Sequence, residues 1–125
     1  MTSFSWIASL GTVFAFFSVL GGAFGAHFLR QRLGVEYLAI FETAIRYQMY
    51  HAFALMMLAS RFFAYSWLLV AAATCFVLGT LLFSGSLYLL IFSGKKAWGM
   101  VTPVGGLFLL AGWLFFFLLN LSKAG

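Results

Sequence analysis

An all-α integral membrane bundle of four transmembrane helices is the fold this sequence predicts, and three observations predict it. The 125 residues are 65% hydrophobic and only 7% charged. A soluble domain carries about 25% charged residues, so too little polar surface remains to clothe a water-exposed globule. Long apolar stretches follow one another along the chain, and about four of them, at roughly 20 residues each, fit its length. Between them lie short polar segments with Lys, Arg, Gly and Trp, which are residues of membrane edges. A single domain over residues 1–125 is expected, with no linker or low-complexity tract.

The net charge of +5 does not point to nucleic acid. Lys and Arg are scattered in ones and twos, with no basic run, as the positive edges of membrane spans are. The single Cys75 rules out a disulfide within the chain and a metal site built on several thiolates. Its expected role is that of a small buried packing residue. Met1 to Trp6 lacks the basic start of a signal peptide, and the apolar run that follows is long, so the first segment is expected to be retained.

The first helix is expected over 4–28. Gly11, Ala15, Ser18, Gly22 and Gly25 recur at spacings of 4, 3, 4 and 3, which keeps them on one helix face. Small residues let helix backbones approach closely in lipid, so Gly22 and Gly25 are expected helix-packing positions. Arg30 and Arg32 complement the dipole of the helix end, and Gly34 suits its C-terminal cap. Residues 35–41 are too short to span and read as a short amphipathic turn or helix at the interface. The second helix is expected over 41–60. Glu42 and Arg46 stand four apart, with the acid N-terminal, the better order for a helical ion pair. Arg46→Ala is then expected to destabilise the bundle strongly. His51 lies roughly 12 Å into the segment, at 1.5 Å per residue, which is beyond easy reach of the interface.

A third helix is expected over 65–92, with Ala72, Cys75, Gly79 and Ser86 as a groove for a neighbouring helix. Ser93 to Gly99 forms a polar loop containing Lys95, Lys96 and Trp98. A fourth helix is expected over 103–121, capped by Thr102, opened by Pro103, and carrying Gly105, Gly106 and Gly112 as close-contact points. The four segments form two hairpins. Charge asymmetry puts the loops 29–41 and 93–102 in the cytoplasm and both termini outside.

His27, Glu42, Arg46, Tyr47, Gln48 and His51 make up the candidate polar cluster, because ionisable residues inside membrane segments usually face the bundle interior or a wet cavity. No catalytic motif accompanies them: there is no Asp, no His-Glu-x-x-His helix and no phosphate-binding loop. Two imidazoles can ligate a metal or haem if His27 and His51 converge. The competing expectation is that each imidazole hydrogen-bonds a neighbouring helix, through Tyr47 or Tyr50. No catalytic residue, cofactor or metal site is expected. Membrane lipids are the expected partners, together with a membrane-protein partner or a second copy. A structural or accessory role stands first. The alternative is a small transporter or a lipid- or ligand-binding protein using the polar cluster.

Three runs are distinctive. They are Gly21-Gly22-Ala23-Phe24-Gly25-Ala26-His27, then Phe41-Glu42-Thr43-Ala44-x-Arg46-Tyr47-Gln48-Met49-Tyr50-His51-Ala52-x-Ala54-Leu55, then Thr102-Pro103-x-Gly105-Gly106-x(5)-Gly112-Trp113. Together they resemble the bacterial inner-membrane family known as domain of unknown function 423, of the UPF0382 type, and are similar to the mitochondrial transmembrane protein 256 group. The resemblance spans essentially the whole chain. It implies a four-helix integral membrane protein and no assigned activity. Gly22, Gly25, His27, Glu42, Arg46, Tyr47, Gln48 and His51 are motif positions of that resemblance.

Overall fold

Residues 5–61 and 66–122 are described by a computed structural model, and they form four helical rods. The first comprises α1 (Ser5–Leu20), a π turn (Gly21–Gly25) and α2 (Ala26–Leu29) in unbroken succession. The others are α3 (Val35–Ala59), α4 (Trp67–Ser93) and α5 (Thr102–Leu121), the last preceded by a 3-10 turn at Lys96–Met100. The expected helix starts Phe4 and Tyr65, the connection 62–64 and the exit residue Lys123 lie outside the described residues. Trp6–Leu29, Trp67–Ser93 and Lys96–Leu121 are each long and apolar enough to cross a membrane. The fourth rod, α3, carries Glu36, Glu42 and Arg46 in its first half.

Two boundaries differ from expectation. The segment 35–41 is helical but not separate: it forms the first turns of α3. Gly34 does not cap the preceding helix; with ψ at 165° it leads into α3 as its N-cap. No proline or glycine interrupts the chain from Val35 to Ala59, and Glu36 in the first turn favours the positive end of the helix dipole. Thr102 does not cap α5 either. Val101 holds that position, and the Thr102 hydroxyl shares a 2.6 Å hydrogen bond with that of Ser86 on α4. Pro103 does sit in the first turn of α5, where its missing N–H costs nothing. Gly94, at φ 72°, closes α4 by donating its N–H to the Leu90 carbonyl at 2.9 Å. Cys75 is half-buried rather than buried.

The rods pack in sequence, α1 on α3, α3 on α4 and α4 on α5, so the two hairpins are joined through α3 and α4. Their cores differ at the two ends. At one end Ile7, Leu55, Leu58, Leu69, Phe76, Leu109 and Leu119 bring all four rods together. At the other end, Ala26, Leu29, Phe41, Leu90 and Ile91 come from α2, α3 and α4 alone. All four rods therefore share a core at one end, and α2, α3 and α4 share one at the end with the loops 30–34 and 94–101. Lipid is as apolar as these side chains, so close packing rather than water exclusion holds the rods together. Glycine supplies the closest approaches. A methyl group on Gly105 would collide with the Phe83 backbone, and one on Gly112 would lie 2.7 Å from the Phe76 ring. Gly106 is looser, 4.0 Å from Phe83 Cδ2 by the same measure.

Along α1 the face against α3 runs Ile7, Gly11, Phe14, Ser18, Gly21, Gly25, alternating steps of four and three. This departs from the expected stripe. Gly25 packs as expected, since a methyl there would meet Phe41 Cζ at 3.3 Å. Gly22 is exposed and would meet only Ile45 Cγ2 at 3.6 Å, whereas a methyl on Gly21 would lie 2.5 Å from Ile45 Cδ1. Beyond Gly25 an unbroken α-helix would carry the face on to Phe28 and Arg32. The buried residues are instead Ala26 and Leu29, followed by half-buried Leu33. The π turn accounts for the slip, because its wider i to i+5 turn takes up an extra residue. Phe28 and Arg32 are left exposed.

Candidate functional site

Gln48, near the middle of α3, ties three helices together. Its Nε2 donates to the Phe14 carbonyl of α1 at 2.9 Å. Its Oε1 accepts from the Tyr88 hydroxyl of α4 at 2.7 Å. Phe14 O also accepts from Ser18 Oγ at 2.7 Å, and Ser84 Oγ of α4 donates to the Ala44 carbonyl of α3 at 2.7 Å. Spacings of four along α4 put Thr80, Ser84 and Tyr88 on the face turned to α3. The Thr80 hydroxyl is buried without a partner among the described residues.

One turn further along α3, His51 performs the same service toward α5. Its Nδ1–H donates to the Tyr47 carbonyl at 2.6 Å, and its Nε2 accepts from Trp113 Nε1–H at 3.0 Å. Indole can only donate, so this geometry holds His51 as the neutral tautomer protonated on Nδ1. The imidazole lies against Phe76, with ring centroids 5.5 Å apart, and the Trp113 indole meets the same phenyl edge-on at 4.9 Å.

Two grooves flank these ties. One runs between α1 and α4 above α3, with a volume of about 670 Å³, and includes Gln48, Thr80 and Tyr88 in its lining. The other lies between α3 and α5, with a volume of about 590 Å³, and is lined by Tyr47, Tyr50, His51, Phe83 and Trp113.

The expected cluster is thus divided. Gln48 and His51 are buried and bridge helices, while Tyr47 is partly exposed and stacks on Phe83 at 4.5 Å. Glu42 and Arg46 are exposed on α3 and form no ion pair; Arg46 Nη2 donates to Thr43 Oγ1 at 3.3 Å instead. The four-residue spacing permits the pair, but exposed partners gain little from it. The strong destabilisation expected of Arg46→Ala falls with it: the substitution should shift stability by less than about 0.5 kcal/mol, as checked by thermal unfolding in detergent. His27 is exposed on α2. Gly25 lies against Phe41, ten residues before His51, which separates the two imidazoles by roughly 15 Å along the bundle. They do not converge, and no three His, Cys, Asp or Glu side chains gather among the described residues. His51 bonds to a neighbouring helix, but through Trp113 and not through a tyrosine hydroxyl.

Tyr88, Ser84 and Trp113 escaped the sequence reading. The four-residue recurrence of Thr80, Ser84 and Tyr88 in an otherwise apolar helix was the available signal. Trp113 carried a weaker one, as an indole N–H well inside a span that needs an acceptor.

A family model described as "Protein of unknown function (DUF423)" matches residues 21–106. The chain is 40% identical over 105 residues to a UPF0382 membrane protein of Staphylococcus haemolyticus, covering 84% of this chain and 86% of the relative. It is 36% identical over 116 residues to one from Staphylococcus aureus, covering 93% and 95%. It is 42% identical over 105 residues to the UPF0382 inner membrane protein YgdD of Escherichia coli, covering 78% and 76%. No solved structure matches the chain. The matched span runs from the π turn through Gln48 and His51 to the first turn of α5, and the chain belongs to the DUF423 family of small membrane proteins.

Proposed function

We infer that this membrane protein is a non-catalytic structural or accessory component of the cytoplasmic membrane. One observation carries this. The polar groups buried in the bundle that a substrate would be expected to use, those of Gln48 and His51, are already bonded at both ends to other helices or to helix backbone. His51 has both ring nitrogens engaged and Gln48 is held at both ends of its amide, so these side chains brace the bundle. The same engagement weighs against the transporter alternative, which needs Gln48 or His51 open to water.

Orientation follows from charge. Arg30, Arg32, Lys95 and Lys96 share the loop end of the bundle, which the positive-inside rule assigns to the cytoplasm. A protein partner in the membrane or a second copy of the chain fits an accessory role.

Purified protein in liposomes should show no proton or anion flux above that of empty liposomes. Gentle extraction from its own membrane should yield a stoichiometric protein partner or a self-oligomer by native mass spectrometry. A flux that disappears on Gln48→Leu would overturn the proposal in favour of transport.

A further inference from the structure

We propose that the groove between α1 and α4 seats an acyl chain of an anionic glycerophospholipid, whose phosphate is held at the groove mouth by Arg32. The proposal stands apart from the Gln48 and His51 ties and from whether the chain serves a partner.

The shape of the groove comes first. Its floor is α3, with Phe41, Ile45 and Gln48, and its volume of about 670 Å³ is within the range of roughly 300–1,000 Å³ typical of small-molecule sites. Along the first rod it extends from Val13 to Phe28, roughly 22 Å at 1.5 Å per residue. One leaflet supplies about half of a hydrocarbon core roughly 30 Å thick, so the groove is long enough for a chain entering from one surface. The Gln48 amide on its floor is already bonded to Phe14 and Tyr88. A long, thin, apolar occupant suits such a lining; a polar headgroup would find little to bind inside.

The cation comes next. Phe28 lines the groove, and the Arg32 guanidinium carbon sits 3.9 Å above the centre of its ring. Both side chains face outward because the π turn slips the register by one residue; without the slip they would face α3. Arg32 forms no ion pair with either carboxylate, and its planar fork suits bidentate binding of a phosphate. Stacking on Phe28 leaves the in-plane N–H donors free.

Charge then selects the occupant. Leu29 packs with Leu90 and Ile91, so Arg30, Lys95 and Lys96 lie at the same end of the bundle as Arg32. A basic surface of this kind attracts anionic lipid. A second copy in the same orientation would bring its own cations to the same depth, where like charges repel.

The full-length protein in nanodiscs, titrated with phosphatidylglycerol or phosphatidylcholine of identical acyl chains and read by native mass spectrometry, tests this. Two variants separate chain from headgroup. Gly85 lines the groove, and a Cβ there would meet no atom within 4 Å, so Gly85→Leu adds bulk to the groove from an open Cβ position. Arg32→Gln removes the cation from an exposed position. The parent should hold one phosphatidylglycerol about fivefold or more tightly than phosphatidylcholine, the rough worth of one basic residue at an anionic surface. Gly85→Leu, with helicity and thermal unfolding like the parent's, should lose the adduct with either lipid. Arg32→Gln should keep the adduct and lose about fivefold of the preference. Equal affinities in the parent, an unchanged preference in Arg32→Gln, or an adduct retained by folded Gly85→Leu would each overturn the proposal. So would a parent dimer that binds no lipid, since the second copy would then occupy the groove.

Discussion

Gly105→Leu should part α5 from α4 and lower stability by about 3 kcal/mol, the upper part of the range for overpacking a close-packed site. Even the first carbon of a side chain at this position would collide with the Phe83 backbone nitrogen and Cα. Backbone atoms inside a helix cannot swing aside as a side-chain tip can, so the rods themselves must separate. That separation would also disturb the two other close approaches between these helices. A methyl on Gly79 would lie 3.0 Å from the Leu109 nitrogen, and Gly112 lies against the Phe76 ring. Thermal unfolding in a mild detergent measures the loss, and Gly85→Ala serves as the control. Nothing lies within 4 Å of a Cβ at Gly85, so that variant should stay within about 0.5 kcal/mol of the parent. Equal unfolding of Gly105→Leu and the parent would show that α4 and α5 are not in backbone contact.

Gln48→Leu comes second, with an expected loss of about 1–3 kcal/mol. The substitution keeps an apolar side chain of similar reach but removes both hydrogen bonds of the amide. Phe14 O retains the Ser18 hydroxyl as a donor. The Tyr88 hydroxyl loses its acceptor and is left in an apolar groove. Much of the cost is therefore the stranded phenol, and adding Tyr88→Phe should recover part of it, because removing both partners is cheaper than removing one. A double-mutant cycle measures the coupling, expected at about 0.6–2 kcal/mol for a hydrogen bond between membrane helices. Additive effects would mean that Gln48 and Tyr88 do not touch.

The helical class and the location of the apolar rods were legible because hydrophobicity over 20 residues is a coarse quantity that local detail does not disturb. The burial of Gln48 and His51 was legible for a related reason: polar side chains that deep in an apolar segment must turn toward other helices. Their partners were not legible. Tyr88 and Trp113 lie 40 and 62 positions away in sequence, and only tertiary packing brings them close. The Glu42–Arg46 pair was expected from helix spacing alone. Spacing decides which side chains can meet, and exposure decides whether meeting is worth the lost freedom. Gly22 was chosen over Gly21 because the expected stripe and the contact line both alternate steps of four and three; they part by one residue at Ala15 against Phe14 and at Gly22 against Gly21, and only contact with α3 decides between them. The start of α3 was missed because Val35 to Ile40, taken alone, is too short to span, though nothing in it stops a helix.

The π turn at Gly21–Gly25 acts as a gear coupling within the first rod. A long helix lying on a partner meshes with it at one phase, and any mismatch in pitch accumulates with every turn. The first rod is keyed to α3 at two phases, Gly11 and Ser18 before the turn and Ala26 and Leu29 after it, and the glycine turn is the coupling that offsets them by one tooth. Winding all five residues of that coupling as plain α-helix would leave the chain helical and the first sixteen residues of the rod in place. It would rotate the far end by about 100°, one residue's share of a 3.6-residue turn, turning Phe28 and Arg32 inward against α3 and presenting Ala26 and Leu29 to lipid. The identity of the side chains at that surface is thus set by the winding of a five-residue glycine-rich segment as much as by the residues themselves.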